Sequence, residues 1–153
     1  MCCDGTLFHS VTLQTNDSPR ILSSLGLILK RKKGVTTFRQ PCSAHQNNQC
    51  MIYESRPHRC QLFQCRQIRR VTSGEVSETQ SRHVIQTTRQ KIQEIKEMIE
   101  QITETNPSQG LAQRCAVAIA NSPSTLLAKE LSAATAALQE ILENEFHVRE
   151  EIN

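Results

Sequence analysis

The sequence predicts a mainly α fold, with a small irregular cysteine-rich unit followed by an antiparallel helical hairpin. Three observations predict it. Apolar residues recur at helical spacing in the second half, cysteines are concentrated in the first half, and the halves have opposite net charges. A chain of 153 residues with 37% hydrophobic content can form one ordinary domain or two small ones, which excludes a large multidomain enzyme.

Charge and cysteine content divide the chain at the same place. Residues 1–70 contain 11 Lys and Arg but 3 Asp and Glu, a net charge of +8, whereas residues 71–153 contain 7 and 12, a net charge of −5. Six of the seven cysteines lie in the first of these parts. A Thr-Ser-Gly run at 72–74 interrupts any regular pattern, so we expect the boundary there, between Val71 and Ser77. The predicted units are residues 1–72 and residues 78–151.

The second unit has the apolar pattern of two long helices. The first stripe is formed by Ile85, Thr88, Ile92, Ile95, Ile99 and Ile102. The second stripe is formed by Leu127, Leu131, Ala134, Leu138 and Ile141. Steps of three and four residues place each set on one helix face. We therefore expect an antiparallel hairpin that packs on the first unit, binds a protein partner or mediates self-association.

A short apolar helix is expected between the two long ones. It spans Leu111 to Ala120, because residues 106–110 include Asn, Pro and Gly and break the pattern before it. Ser122 or Ser124 is expected to cap the last helix by accepting backbone N–H bonds. Cys115 lies inside the short helix and is expected to be a small buried hydrophobe.

The first unit contains the residues with distinctive chemistry. Its cysteines are Cys2, Cys3, Cys42, Cys50, Cys60 and Cys65. Disulfides, core packing and metal ligation are the competing explanations. No secretory leader is visible at the start, so we expect a cytoplasmic protein without disulfides. A unit with few aromatic residues gains little from burial alone, whereas a structural zinc supplies roughly 10–16 kcal/mol in small peptides. Metal ligation is therefore the favoured explanation.

Arginines accompany the last four of these cysteines in the sequence. They are Arg39, Arg56, Arg59, Arg66, Arg69 and Arg70. Nearby cations lower the pKa of a thiol and favour the thiolate that a metal requires. The alternative for the same residues, together with the basic run 30–33, is a nucleic-acid surface. Few stacking aromatics and no C-x2-C…H-x3-H finger spacing count against it, so nucleic acid is not an expected partner.

The segment from Cys50 to Cys65, CMIYESRPHRCQLFQC, resembles the motif of the YkgJ-type cysteine-cluster family. That family has a pattern like C-x-I-Y-x-x-R-P-x-x-C-x-x-F-x-C and is described as zinc- or iron-chelating. Cys2-Cys3-Asp4-Gly5 and Pro41-Cys42 resemble its upstream cysteine sites. The resemblance covers roughly residues 1–70. The family commonly has C-x-x-C-C at the first site, and this chain has Met1 before Cys2-Cys3, so the number of ligands stays open.

The resemblance implies that the cysteines of the first unit hold zinc or iron, either mononuclear or as an iron–sulfur cluster. Thiolate ligands exclude calcium and magnesium but do not separate zinc from iron. His9, His45 and His58 are further candidate ligands. We expect Arg56-Pro57 to act as a fixed kink that presents Cys50 and Cys60, and Ile52 and Phe63 to pack beneath the site.

Two classes of function follow. The first is a non-catalytic protein whose metal is structural or is held for delivery. The second is an iron–sulfur redox or accessory protein in protein modification, by analogy with the related cluster of flagellin lysine methylases. We favour the non-enzymatic class, because no phosphate loop, nucleophile elbow or H-E-x-x-H helix is present. The apolar stretch 21–29 is too short to span a bilayer, so no membrane partner is expected.

Overall fold

The computed structural model describes residues 1–147 as two compact units. The first unit is formed by Met1–Phe63 together with Ser108–Gly110. The second is formed by Gln64–Pro107 and by the chain from Leu111 onward. This division falls after Phe63, earlier than the expected seam. The end of the predicted hairpin module, residues 148–151, lies outside the described residues.

The first unit contains short strands and two short helices. The strands are β1 (Ser10–Thr12), β2 (Leu29–Lys32), β3 (Val35–Arg39), β4 (His45–Gln46) and β5 (Gln49–Cys50). The helices are α1 (Pro19–Ser24) and α2 (His58–Leu62), the latter preceded by a 3-10 turn at Tyr53–Ser55. Strands β1, β3 and β2 form an antiparallel sheet in that order, and β4 and β5 form a separate antiparallel pair. The sequence interpretation of an irregular unit did not include these strands.

A small apolar core holds the first unit together. Val11 and Leu29 pair with Phe38 from either side of β3, and all three side chains face the core. The buried members of this core are Leu22, Leu27, Phe38, Ala44 and Ile52. Helix α1 contributes Leu22, and its N-terminus is capped by the side chain of Ser18, which accepts from the Ile21 N–H. The core therefore joins the helix, the sheet and the segment before α2.

The second unit consists of helices, as predicted. They are α3 (Arg66–Thr72), α4 (Glu78–Ile102), α5 (Leu111–Asn121) and α6 (Leu126–Glu145). Ser77 and Gln80 form a capping box at the start of α4. Ile92, Ile95 and Ile99 are buried, as the first apolar stripe predicts. The mainly α prediction is confirmed by these elements.

Helices α4, α5 and α6 contact one another. Helix α5 therefore packs against both long helices and also connects them. Cys115 on α5 is 1% exposed, which confirms the expectation of a buried residue. The expected cap of α6 was wrong. Thr125 caps this helix, because its hydroxyl accepts from the Ala128 N–H at 3.2 Å. Within residues 1–147, no helix is both long enough and apolar enough to cross a bilayer.

Helix α3 is tied to the end of α6, which explains why it belongs to the second unit. The Arg66 N–H donates to the Phe146 carbonyl at 3.0 Å. The Gln67 side chain, which is 1% exposed, donates to the carbonyl and the carboxylate of Glu145. Arg70 also pairs with the Glu145 carboxylate at 3.0 Å. These contacts join α3 to residues far along the chain.

Candidate metal centre

Cys3 and Cys42 lie on loops that are joined through their backbones. The Cys42 N–H donates to the Cys3 carbonyl at 2.8 Å. Gly5 is buried beside this junction with a φ of +79°. A Cβ there would lie 3.0 Å from the Cα of Gly110 and 3.2 Å from the carbonyl carbon of Gln40. The two loops approach this closely because position 5 has no side chain.

Cys50 is positioned by the β4–β5 pair. His45 is the direct strand partner of Cys50, and a turn of Asn47 and Asn48, both at positive φ, connects the strands. The His45 N–H donates to the Cys42 carbonyl at 2.9 Å. Directly opposite residues project to the same face, with Cβ atoms about 4.5–5.5 Å apart. The hairpin thus places Cys50 beside an imidazole and anchors both to the Cys42 loop.

Cys60 is presented by the first turn of α2. Pro57 is extended with a φ of −50° and a ψ of 144°, and its carbonyl accepts from the Cys60 N–H at 2.8 Å. This is the geometry expected of the Arg56-Pro57 kink. The Asp17 carboxylate fixes the same turn, since it accepts from the His58 N–H at 2.8 Å and from the Gln14 N–H at 2.7 Å.

Three of the predicted site cysteines rest on a common apolar base. Cys42, Cys50 and Cys60 are partly buried and pack against the core that includes Ile52. Ile52 is one of the buried residues of this core. Phe63 instead packs edge-on against Phe8, with ring centroids 4.9 Å apart.

Electrostatic interactions link Cys60 to three other thiols. Burial raises the pKa of Cys60, and Cys3, Cys42 and Cys50 raise it further, to about 12. Burial is also the main cause of the raised pKa of Cys42, to which Cys3 and Cys50 add. The pKa of Cys3 is raised by burial and then by Cys50. Cysteines from four separate segments therefore lie within electrostatic range of one another.

Arg56 opposes this increase in the pKa of the thiols. Its guanidinium lowers the pKa of both Cys3 and Cys60, as the sequence argument expects of a nearby cation. The group lies 3.7 Å from the ring centroid of Tyr53 and donates to the Tyr53 carbonyl at 2.8 Å. Arg70, by contrast, is engaged with Glu75 and Glu145 in the second unit.

The remaining predicted residues are placed differently. Cys65 belongs to the second unit, where it precedes α3 and is 9% exposed. Cys2 is partly buried next to Cys3. His9 is exposed, and the backbone N–H of His58 is bonded to Asp17. None of the seven cysteines, all of which the structure describes, forms a disulfide.

The thiols do not form a ligating geometry as they stand. Among residues 1–147, no group of three or more His, Cys, Asp or Glu side chains is arranged so that it could hold a metal ion. Four sulfurs bound to one zinc at about 2.3 Å lie about 3.8 Å from each other in a tetrahedron. Binding of such an ion therefore requires the thiols to adopt this arrangement.

Sequence reasoning missed two residues that position the site. Asp17 is far from every cysteine in sequence, and no local pattern indicates that it caps the turn before Cys60. Gly5 stands inside the segment that resembles the family's first site, so its proximity to Cys3 was a usable signal.

No family model, curated protein or solved structure matches this chain.

Proposed function

We propose that the protein binds zinc or iron through the thiolates of Cys3, Cys42, Cys50 and Cys60. The observation that carries the proposal is geometric: Cys42, Cys50 and Cys60 pack against one apolar core, and the Cys42 N–H donates to the Cys3 carbonyl. Four thiolates are the full ligand set of a structural zinc site or of a cubane iron–sulfur cluster. Membership of the YkgJ-type family is part of this proposal and rests on the motif from Cys50 to Cys65.

The charges of the four thiolates favour the binding of a metal cation, either a divalent ion or an iron–sulfur cluster. Cys3, Cys42 and Cys50 raise the pKa of neighbouring thiols, so several thiolates together are unfavourable unless a positive charge lies among them. A bound metal cation reverses this repulsion and releases the thiol protons. Arg56 supplies a second positive charge beside Cys3 and Cys60, and its guanidinium is fixed over Tyr53.

The remaining cysteines of the first half have secondary places in the proposal. Cys2 adjoins Cys3 and is a reserve ligand, and Cys65 stays a ligand predicted from the sequence alone. We further propose that α4 and α6 form the antiparallel hairpin expected from the sequence and offer a surface for packing or for a protein partner. We also propose a cytoplasmic location, in which cysteine thiols stay reduced.

The competing function is an iron–sulfur redox or accessory role in protein modification. The same four cysteines serve both functions, so the identity of the metal decides between them. Protein purified without oxygen should be colourless if it holds zinc and brown, with absorption near 400 nm, if it holds an iron–sulfur cluster.

The test compares Cys60→Ser with Cys115→Ser. Both change one buried or partly buried thiol to a hydroxyl, but Cys115 lies on α5, outside the proposed ligand set. Elemental analysis should find metal in the wild type and in Cys115→Ser, and a loss of at least tenfold in Cys60→Ser. The expected loss follows from the removal of the ligand that is coupled to all three others.

Two results would overturn the proposal. One is a wild-type protein, purified anaerobically from cells supplied with zinc and iron, that contains neither metal. The other is full retention of metal in Cys60→Ser, which would show that the ion is held elsewhere. A Cys3→Ser variant provides an independent check, because Cys3 lies on a different loop and is not part of α2.

A further inference from the structure

The outer face of the three-stranded sheet is cationic. Val11, Leu29 and Phe38 face the core, so the residues that alternate with them project to the opposite side. That outer face consists of Ser10, Thr12, Lys30, Lys32, Val35, Thr37 and Arg39. It therefore combines three cations with three hydroxyl groups and has no carboxylate.

The β2–β3 hairpin extends this face beyond the sheet. Lys33 and Gly34 form its two-residue turn, with φ values of +48° and +80°, a type that suits the right-handed twist of the flanking strands. Residues 30–33 are all basic, and all four are exposed. The hairpin tip thus adds Lys33 to the cations of the sheet.

These cations are uncompensated. Within residues 1–147, Lys30, Lys32, Lys33 and Arg39 make no ion pair. Two of the three carboxylates of the first 70 residues are engaged elsewhere. Asp4 lies 3.4 Å from the amino group of Met1, and Asp17 accepts two backbone N–H bonds beside α2.

We propose that this face and the hairpin tip, formed by Lys30, Lys32, Lys33 and Arg39, bind the phosphate backbone of a double-stranded nucleic acid. Exposed lysines and arginines neutralise phosphates, and Ser and Thr hydroxyls donate to phosphate oxygens. A two-stranded β-ribbon fits the major groove of DNA, which is about 12 Å wide. The fit is one of charge and shape and carries no base specificity.

A duplex fits this surface better than a single strand. Single-strand binding relies on bases stacked on aromatic side chains, and the outer face has none. Recognition of the phosphate backbone requires neither stacking aromatic residues nor zinc-finger spacing, the two features whose absence from the sequence counts against nucleic acid. The inference is also independent of the metal proposal, because none of the proposed ligands lies on this face.

The full-length protein is titrated against a fluorescently labelled duplex of about 20 base pairs, and affinity is followed by anisotropy across salt concentrations. Four phosphate contacts predict a slope of about −3.6 for log K against log[salt]. Affinity should then fall about 150-fold between about 50 and about 200 mM salt. In Lys30→Gln/Lys32→Gln the slope should be about −1.8 and the loss about 12-fold over the same range.

The matched control is Arg89→Gln/Lys91→Gln on α4, which removes two exposed cations from the second unit. This variant should keep the wild-type slope. Arg39→Gln is a second variant on the proposed face. It should make the slope shallower by about 0.9, which gives about −2.7. Two duplexes of unrelated sequence should bind with equal affinity.

Three outcomes would overturn the inference. The first is the absence of binding at about 50 mM salt, where a backbone binder of this charge binds at least weakly. The second is an equal effect of the sheet variant and the α4 control, which would show that only net charge matters. The third is preferential binding to vesicles that contain phosphatidylserine, which would identify the partner as an anionic membrane surface.

Discussion

Replacement of Gly5 by alanine tests the packing that brings the Cys3 and Cys42 loops together. Gly5 has a φ of +79°, and its Cα faces the backbones of Gln40 and Gly110. Gly34 is the matched control, because its φ is +80° but an added Cβ would meet no atom within 4 Å. Both variants impose the same backbone strain, and Gly5→Ala alone adds a steric conflict.

The expected magnitudes follow from these contacts. A left-handed conformation costs alanine about 1–2 kcal/mol, which is the full effect expected for Gly34→Ala. A Cβ at position 5 would lie 3.0 Å from one backbone carbon and 3.2 Å from another, and overpacking of this kind costs about 1–3 kcal/mol. Gly5→Ala should therefore destabilise the first unit by about 2–5 kcal/mol in total.

The chain has one tyrosine and no tryptophan, so tyrosine fluorescence reports on the first unit through Tyr53. Urea unfolding followed by this signal should show a clearly lower midpoint for Gly5→Ala than for Gly34→Ala. Metal retention should fall in Gly5→Ala alone, since the added Cβ pushes apart the loops of Cys3 and Cys42. Equal midpoints for the two variants would refute the packing argument.

Two further predictions concern α2. Asp17→Ala removes an acceptor of two backbone hydrogen bonds, so it should destabilise the turn that presents Cys60 by about 1–3 kcal/mol and weaken metal binding, measured by competition with a chelator. Folding raises the pKa of Cys60 from 9.0 to about 12. The neutral Cys60 thiol therefore makes its full contribution to the free energy of unfolding of the metal-free protein below about pH 9, and this contribution is lost as the pH rises toward 12. Alkylation of Cys60 at pH 9, measured by mass spectrometry, should accordingly be slower in the native metal-free protein than in urea. Equal rates would contradict the assignment, and metal affinity, which needs thiolates, should increase with pH over the same range.

The helices of the second unit were predictable because their burial repeats with the period of the helix. Ile92, Ile95 and Ile99 are buried on α4 at the predicted positions. The cap of α6 was missed by one residue, since serine is preferred over threonine as a cap and Ser124 directly precedes Thr125. The hydrogen bond from the Ala128 N–H distinguishes them, and it depends on where the helix begins.

The strands of the first unit were not predictable from periodicity. Strand β2 is Leu-Lys-Arg-Lys and shows no apolar alternation, because its outer face and its tip are both exposed. Its place in the sheet is set by pairing with β3 across the Lys33-Gly34 turn. The position of Asp17 beside His58 is likewise a contact between distant segments, which a sequence pattern does not encode.

The apolar core of the first unit changes the role to be expected of a bound metal. The small number of aromatic residues predicts that the first unit obtains part of its folding free energy from a bound metal. Phe38, Leu22 and Ile52, however, are each less than 10% exposed, and they join the sheet to α1 and to the segment before α2. Folding also raises the pKa of Cys60, which favours neutral thiols in the metal-free state. A unit with its own core and with protonated thiols is suited to reversible loading, so among the proposed roles, metal handling is favoured over a purely structural zinc. A urea transition at Tyr53 that persists after chelation would support this role, and complete unfolding by a chelator would instead assign the metal a structural one.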